Sequence, residues 1–402
     1  MNRSVIFAVQ GEGRGHLTQA LAMYRLLRSR GWTVSCIVVG AGARRLPAFF
    51  TDQVETPVAT LYSPFFVSRD SRSVDMLRTL TANLFRLGSL FRSIRRFRRL
   101  VMRHRPDLIL NFYEPLVPMA MAFTPFKGRL VSISHQNIYL HSGFSFPKEI
   151  GSKRHALTLY TRFVSLFSDL VLALSMYDLP GRREGDPVTM PPLLRGELFE
   201  KSPVTGDFYL VYLVNSGYME DIRVWHHLHP GIRLHCFTDS EEVRSAPGGV
   251  LRIDDELSFH RLDGARFLDM MARCRGIVTT AGFETVCEAV FLGKPVVMVP
   301  VTGHLEQYCN AVDAARAGLA HRSAVFDLTL LRDLRMRLPK GNGDAFREWV
   351  LSATDRHLSE IEGLFDIGMQ EAANPVFPTT RTVPRMRHVA LKMLHGLRFP
   401  GF

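Results

Sequence analysis

The sequence predicts an α/β protein built from two doubly wound, Rossmann-like domains that face each other across a cleft. Short valine- and leucine-rich runs alternate with amphipathic stretches along most of the chain, the pattern of parallel strands connected by helices. Its 402 residues suffice for two domains of ordinary size. Between Pro180 and Pro203 lie five prolines and three glycines, the best candidate divide. The expected layout is a first domain over 1–185, a linker over 186–206, a second domain over 207–370, and a C-terminal segment over 371–402. That last segment, with Arg381, Arg385, Arg387 and Lys392 among apolar residues, reads as a helix returning to the first domain or as a lipid-facing stretch.

Ser4–Val9 is an apolar first strand, followed by the glycine-rich loop Gly11-Glu12-Gly13-Arg14-Gly15-His16. Leu17 to Ser29 reads as an amphipathic helix closed by Gly31, and Thr33–Val39 as the next strand. The loop spacing is GxGxG, and no acid closes the second strand, which argues against a nicotinamide or flavin site. Its glycines suit close approach of backbone to something bound in a cleft. Leu84 to Val101 is a long helix candidate with Leu84, Leu87, Phe91, Ile94, Phe97 and Val101 at spacings of three and four. Arg92, Arg95, Arg96, Arg99 and Arg103 fill much of the remainder, as a solvated face of a core helix or as an interfacial helix meeting anionic lipid. Strands at Asp107–Asn111, Leu130–Ser134 and Leu170–Ala173 complete the first sheet and deliver Glu114 and His135 to the edge that carries the first loop.

After the divide, Phe208–Val214 opens a second αβ series with a turn at Asn215-Ser216-Gly217, then strands at Ile232–Phe237, Ser258–Leu262, Gly276–Thr279 and Val296–Val299. Gly282 opens a helix carrying Glu284 and Glu288, and a further helix starts near His304-Leu305-Glu306-Gln307. Both turns fall at carboxyl ends of parallel strands, where open α/β sheets bind ligands. A helix N-terminus behind a glycine suits a diphosphate. Glu288 could accept bonds from ribose hydroxyls, and Glu306 and Gln307 from a sugar. The plainer reading is an ordinary βαβ unit with solvated acids.

The formal charge of +12 is one-sided: residues 1–150 hold 21 Lys and Arg against 8 Asp and Glu, and the rest of the chain is close to neutral. Such a field suits an anionic membrane surface; nucleic acid is disfavoured because the arginines lack interleaved exposed aromatics and no reader motif is present. No run of about 18 uncharged apolar residues predicts a membrane span. The start of the chain lacks a cleavage site and reads as a strand, not a signal peptide. Five scattered cysteines without a CxxC pair fit a reducing cytoplasm and argue against structural zinc.

Taken together, GEGRGH after the first strand and AGFETVCEAVFLGKPVVMVP followed by HLEQYCNA resemble the GT-B glycosyltransferases. The nearest branch holds the lipid-linked N-acetylglucosaminyltransferase of peptidoglycan synthesis and related UDP-sugar transferases (families 28 and 1). The resemblance spans roughly residues 1–370. It implies an inverting, metal-independent transfer of a sugar from a UDP-sugar to an acceptor hydroxyl, with the donor a co-substrate and no resident cofactor. Thr280, Gly282, Phe283, Glu284 and Thr285 would hold the donor diphosphate, with Ser216 near the phosphates or nucleoside. Glu288 would take the ribose, and His304, Glu306 and Gln307 the transferred sugar. His16 would be the base, oriented by Glu114, with Gly13, Arg14, Gly15 and His135 on the acceptor side. The departures are Thr279-Thr280-Ala281 where the family often has histidine or arginine and a glycine pair, which leaves the diphosphate less local positive charge. The acceptor stays open between a lipid or lipid-linked saccharide and a soluble hydroxyl compound; the former would place the protein peripherally on the inner face of the cytoplasmic membrane. Other readings on the same fold are a nucleotide-sugar epimerase or hydrolase, and a non-catalytic sugar-nucleotide or lipid-binding module.

Overall fold

A computed structural model describes residues 3–42, 44–64, 68–69, 73–74, 86–212, 216–331 and 341–373. The first sheet comprises β1 (Ser4–Gln10), β2 (Thr33–Gly40), β3 (Val58–Leu61), β4 (Leu108–Phe112), β5 (Arg129–Ser134), β6 (Leu170–Leu174) and β7 (Val188–Met190), in the order β3-β2-β1-β4-β5-β6-β7. Every pairing in it is parallel. The second comprises β8 (Phe208–Tyr212), β9 (Arg233–Thr238), β10 (Val250–Arg252), β11 (Leu257–Arg261), β12 (Ile277–Thr279), β13 (Val296–Met298) and β14 (His321–Arg322), ordered β10-β11-β9-β8-β12-β13-β14. Only its edge strand β10 runs antiparallel. In each sheet the strand order reverses beside the first strand of the domain, so both domains are doubly wound.

Alternation within β1 shows why helices cover both faces. Val5, Phe7 and Val9 belong to the core under α1 (Gly15–Ser29), while Ile6 and Ala8 face the layer containing α2 (Leu87–His104), and all five are fully buried. Such a strand reads as a continuous apolar run because both its sides are inside. The arginine-rich helix buries only one side of its apolar stripe. Phe97 and Val101 are buried and Ile94 half-buried, but Leu87 and Phe91 are 41% and 60% exposed. At 100° per residue the exposed Leu87, Phe91 and Met102 share a face with Arg95 and Arg98. Leu84 lies outside the described residues.

The proline-rich divide is more than a linker. Its residues Val188–Met190 form β7, and the Ser175 amide donates to Met190 O at 2.8 Å, extending the first sheet by one edge strand. The chain also crosses back. After α9 (Asn342–Leu351), helix α10 (Ala353–Ala373) runs to the first domain, so the return lies upstream of residues 371–402. His357 donates to Pro191 O at 3.1 Å. Phe365 packs edge-on against Trp32, and the Arg3 guanidinium sits 4.3 Å over the Phe365 ring. Trp349, at the end of α9, donates its indole N–H to Ser175 O at 2.9 Å. The remaining arginine-bearing residues, 374–402, lie outside those described. Among the described residues no helix is long and apolar enough to cross a membrane, and no group of three or more His, Cys, Asp and Glu could hold a metal ion. All five cysteines are free and buried.

Candidate active site

The carboxyl edges of the two sheets face each other, and the site is made of the turns that leave them. From the first domain, β1 runs through Gly11–Arg14 into α1, bringing His16 and Gln19; β4 runs into Tyr113 and Glu114; β5 runs into His135 and Gln136. From the second, β12 runs through Thr280–Gly282 into α7 (Phe283–Phe291), and β13 through Val301–Gly303 into α8 (Leu305–Arg316). Gly282 caps α7 with an extended backbone and no side-chain bond, leaving the first amides of the helix without a capping acceptor from its own side chain. His304 caps α8, its Nδ1 accepting from the Gln307 amide at 3.4 Å.

Four rings form a column across the cleft. Tyr113 stacks on His16 at 5.7 Å, His16 on His135 at 6.2 Å, and His135 on Phe283 of the second domain at 4.8 Å with their planes 6° apart. Polar bonds run alongside. His16 Nδ1 is 3.3 Å from Gln19 Oε1, and its Nε2 is 3.3 Å from Gln136 Nε2. Gln19 Nε2 donates to Glu284 Oε1, and Gln136 Nε2 to Glu306 Oε2 at 3.1 Å. His135 Nε2 meets Glu306 Oε1 at 3.1 Å. An added Cβ on Gly15 would fall 2.5 Å from Glu284 Oε2, so glycine here leaves the carboxylate room to reach across from the other domain.

These contacts separate the titrations of the two histidines. Burial, reinforced by His135, lowers the His16 pKa to about 4. Burial also disfavours charge on His135, but the adjacent Glu306 carboxylate outweighs it and raises its pKa. Glu306 is held below the usual carboxylate range: burial works the other way, and His135 overrides it. Burial raises the carboxyl of half-buried Glu284. An imidazole with a lowered pKa thus stands beside one with a raised pKa, a division that suits base and cation respectively.

Several of the expected side chains have partners other than those the sequence suggests. Glu114 does not orient His16. Its Oε1 accepts from Ser63 Oγ at 2.6 Å and from the Leu116 amide at 3.0 Å, and a Cβ on Gly40 would meet its Oε2 at 1.9 Å. Fully buried there, its pKa rises to about 7. Glu288 is also fully buried, and both its oxygens accept from Arg195 of the divide, at 2.6 and 3.0 Å. That ion pair ties the divide to α7 and engages the carboxylate expected to meet ribose. Gln307 is buried, and its Oε1 accepts from the Val301 amide at 2.9 Å, shaping the turn. Glu306, by contrast, stands in the cleft, with His304 exposed beside it. Arg14 lies 4.9 Å over Phe49, and Gly13 is exposed with φ +81°. Thr285 is half-buried on α7; Ser216 begins a short 3-10 turn, Ser216–Tyr218, and its side chain lies outside what is described. Thr280 is buried and its hydroxyl has no partner among the described residues; with Thr279, Tyr212, Tyr218 and Phe326 it lines a small pocket at the ends of β8 and β12. Sequence reasoning missed Gln19, Gln136 and Arg195. Gln19 was detectable as a polar residue one turn beyond His16 on a buried helix face.

Two non-glycine residues with left-handed backbone stand at this edge, Tyr113 at φ +59° and Ala281 at φ +62°. Such conformations persist where surroundings enforce them. Tyr113 is held by its hydroxyl bond to Thr161 at 2.9 Å, and Ala281 by Asn310 Nδ2 donating to its carbonyl at 3.1 Å.

Two parallel-sheet domains with facing turns of this kind define a glycosyltransferase of the GT-B type. The chain belongs to glycosyl transferase family 1, whose model matches residues 3–339. It is 25% identical over 348 residues to the UDP-N-acetylglucosamine–N-acetylmuramyl-(pentapeptide) pyrophosphoryl-undecaprenol N-acetylglucosamine transferase of Bartonella tribocorum, covering 82% of this chain and 83% of that one. Among solved structures, the glycotransferase of kitacinnamycin shares the fold with a TM-score of 0.59 at 15% identity, over 90% of this chain and 99% of its own. Phytolacca americana UGT2, complexed with UDP-2-fluoro-glucose and pterostilbene, gives 0.59 at 14% identity over 90% and 100%. The calicheamicin glycosyltransferase CalG4 gives 0.58 at 17% identity over 90% and 98%.

Proposed function

We propose that this enzyme moves a sugar from a UDP-sugar, held by the second domain, to a hydroxyl of an acceptor held by the first, by direct displacement with inversion and without a bound metal. The observation that carries this reading is the ring column, which sets the neutral His16 of the acceptor half across from the N-termini of α7 and α8. His16 takes the proton of the acceptor hydroxyl as its oxygen bonds the anomeric carbon. The bond from that carbon to the UDP oxygen breaks, and UDP leaves with the electron pair. The N-terminal amides of α7 behind Gly282 face the charge that develops on the diphosphate. Glu306 offers acceptors to sugar hydroxyls. The names of two similar proteins support a UDP-sugar: the Bartonella enzyme takes UDP-N-acetylglucosamine, and the Phytolacca structure holds UDP-2-fluoro-glucose.

The acceptor is lipid-linked on this reading. The Bartonella relative acts on a pyrophosphoryl-undecaprenol substrate. In this chain the exposed Leu87, Phe91 and Met102 share a helix face with Arg95 and Arg98, a combination of apolar and basic groups that suits an anionic cytoplasmic membrane surface. The test is a thermal-shift screen of nucleotide-sugars, followed by transfer assays of the stabilising one against lipid extracts. Product anomeric configuration reads inversion, and activity in EDTA reads metal independence. Stabilisation by no UDP-sugar, or His16→Ala with undiminished turnover, overturns the proposal. Loss of co-sedimentation with anionic vesicles in Phe91→Glu is the expected result for the membrane surface; retention overturns that part alone.

A further inference from the structure

Nothing described above gives the base its orientation once Glu114 is bonded elsewhere. The bonds around His16 supply it. A carboxylate only accepts, so the amide nitrogen of Gln19 is the atom facing Glu284, and that of Gln136 the atom facing Glu306. Both glutamine amides are thereby fixed in their flip. Gln19 turns its carbonyl oxygen to His16 Nδ1, which has to carry the hydrogen. Gln136 turns an N–H to His16 Nε2, which has to carry the lone pair. One tautomer satisfies every partner, and it is the one with its basic nitrogen on the side of Gln136 and Glu306.

The chain of bonds begins in the other domain. Glu284 lies in the first turn of α7, directly after the glycine turn of the donor half, and Gly15 leaves it room to reach Gln19. With the domains together Gln19 is buried at 1% exposure, so Glu284 fixes its flip there without competition from water.

We propose that Gln19 is the positioning residue of the base, and that Glu284, by docking on Gln19 when the domains meet, sets the His16 tautomer and so prepares the acceptor half from the donor half. This rests on His16 as the base. Without Glu284 the Gln19 amide is free to flip, presents N–H to Nδ1, and favours the hydrogen on Nε2, where it blocks proton removal. The design replaces the usual carboxylate behind a histidine with a neutral amide, so His16 gains orientation without a full negative charge against its ring. The charged and titratable groups facing His16 are His135 on the β5 turn, Glu306 on α8, Tyr113 on the β4 turn and, through Gln19, Glu284 on α7.

Nitrogen chemical shifts of the His16 imidazole in the full chain test this without turnover. Wild type is expected to show the Nδ1–H form above pH 6, and Gln19→Leu and Glu284→Ala a mixture or the Nε2–H form. Transfer assays on the same variants are expected to show at least a tenfold loss in kcat, with the donor KM within threefold for Gln19→Leu, and no further loss in kcat in the double variant. Gln19→Glu, which keeps an acceptor for Nδ1–H, is expected to retain the Nδ1–H form and to move the acidic limb of the pH–rate profile upward. A wild-type tautomer unchanged by Gln19→Leu overturns the proposal, as does strict additivity of the two losses. If no sugar is transferred by wild type, the catalytic reading fails while the tautomer measurement still decides the positioning role.

Discussion

Gly15 and Glu284 approach so closely that a single methyl carbon on the glycine would stand 2.5 Å from the carboxylate oxygen. Gly15 is the first residue of α1 in one domain, and Glu284 lies in the first turn of α7 in the other. Within an isolated helix, Gly→Ala is favourable by roughly 0.5–1 kcal/mol. Gly15→Ala is therefore expected to keep the first domain folded, with an unchanged or slightly raised melting temperature, while pushing against the Glu284 carboxylate and so disfavouring closure. Transfer is expected to fall by at least tenfold, and Gly15→Ala combined with Glu284→Gly to recover part of the closure. Small-angle scattering of the single variant, showing a more open particle than wild type, is the direct check.

His16 titrates near pH 4 because it is buried beside a second imidazole. Its folded pKa lies below the unfolded value, so the neutral base persists at every pH above that range and is lost as pH falls through about 4. The acidic limb of kcat/KM is thus expected well below the ordinary histidine range. A limb near 6.5 would show that His16 is not the group read by the profile. His16→Ala is expected to lower kcat by about 10²–10⁴-fold, the usual reach of a positioned base.

The Glu288–Arg195 pair is a structural bond between the divide and the donor helix. Removing one member leaves the other's charge buried, and a loss of about 3–5 kcal/mol is the usual cost. Glu288→Ala and Arg195→Ala are each expected to lower the urea midpoint, with the double variant less destabilised than the sum. If Glu288→Ala unfolds at the wild-type midpoint yet loses affinity for UDP, Glu288 is a ribose ligand instead.

His357 joins α10 to the first domain through Pro191 O, and burial lowers its pKa to about 4. The unfolded chain binds a proton there below about 6.5, and the folded one does not. Its contribution to stability is complete above that pH and is lost as pH falls towards 4, by on the order of 3 kcal/mol. Replacing it with glutamine, which can also donate to Pro191 O, is expected to flatten the acid side of the stability curve measured by urea denaturation between pH 7 and 4.

The strand pattern was legible wherever a strand is buried on both faces, as in β1 and β12, because composition alone marks such runs. Edge strands escaped. Val58–Leu61 is four residues long, and Val188–Met190 sits among prolines and glycines that read as a loop; each gains its structure from a neighbour already in place. The arginine helix was found, but its apolar residues divide between core and surface, which spacing at three and four does not reveal. The site was legible at the strand ends, where His16, His135, Glu284 and Glu306 were all placed in advance. Its bonding was not. The partners of Glu114 and Glu288 were not legible because Ser63 and Arg195 stand 51 and 93 residues away in the chain. Gln19 and Gln136 looked like ordinary amides because their meaning depends on acids of the opposite domain.

The two sheets are joined twice, once by the chain running through β7 and the divide, and once by the chain returning from α9 into α10. A body tethered at a single point can swivel in any direction. One tethered at two points turns like a door, about the line through its hinges. Closure about such a line is expected to bring Glu284 to the same place beside Gln19 each time. Cutting the peptide between α9 and α10 is expected to remove one of the two tethers and so widen the path of closure.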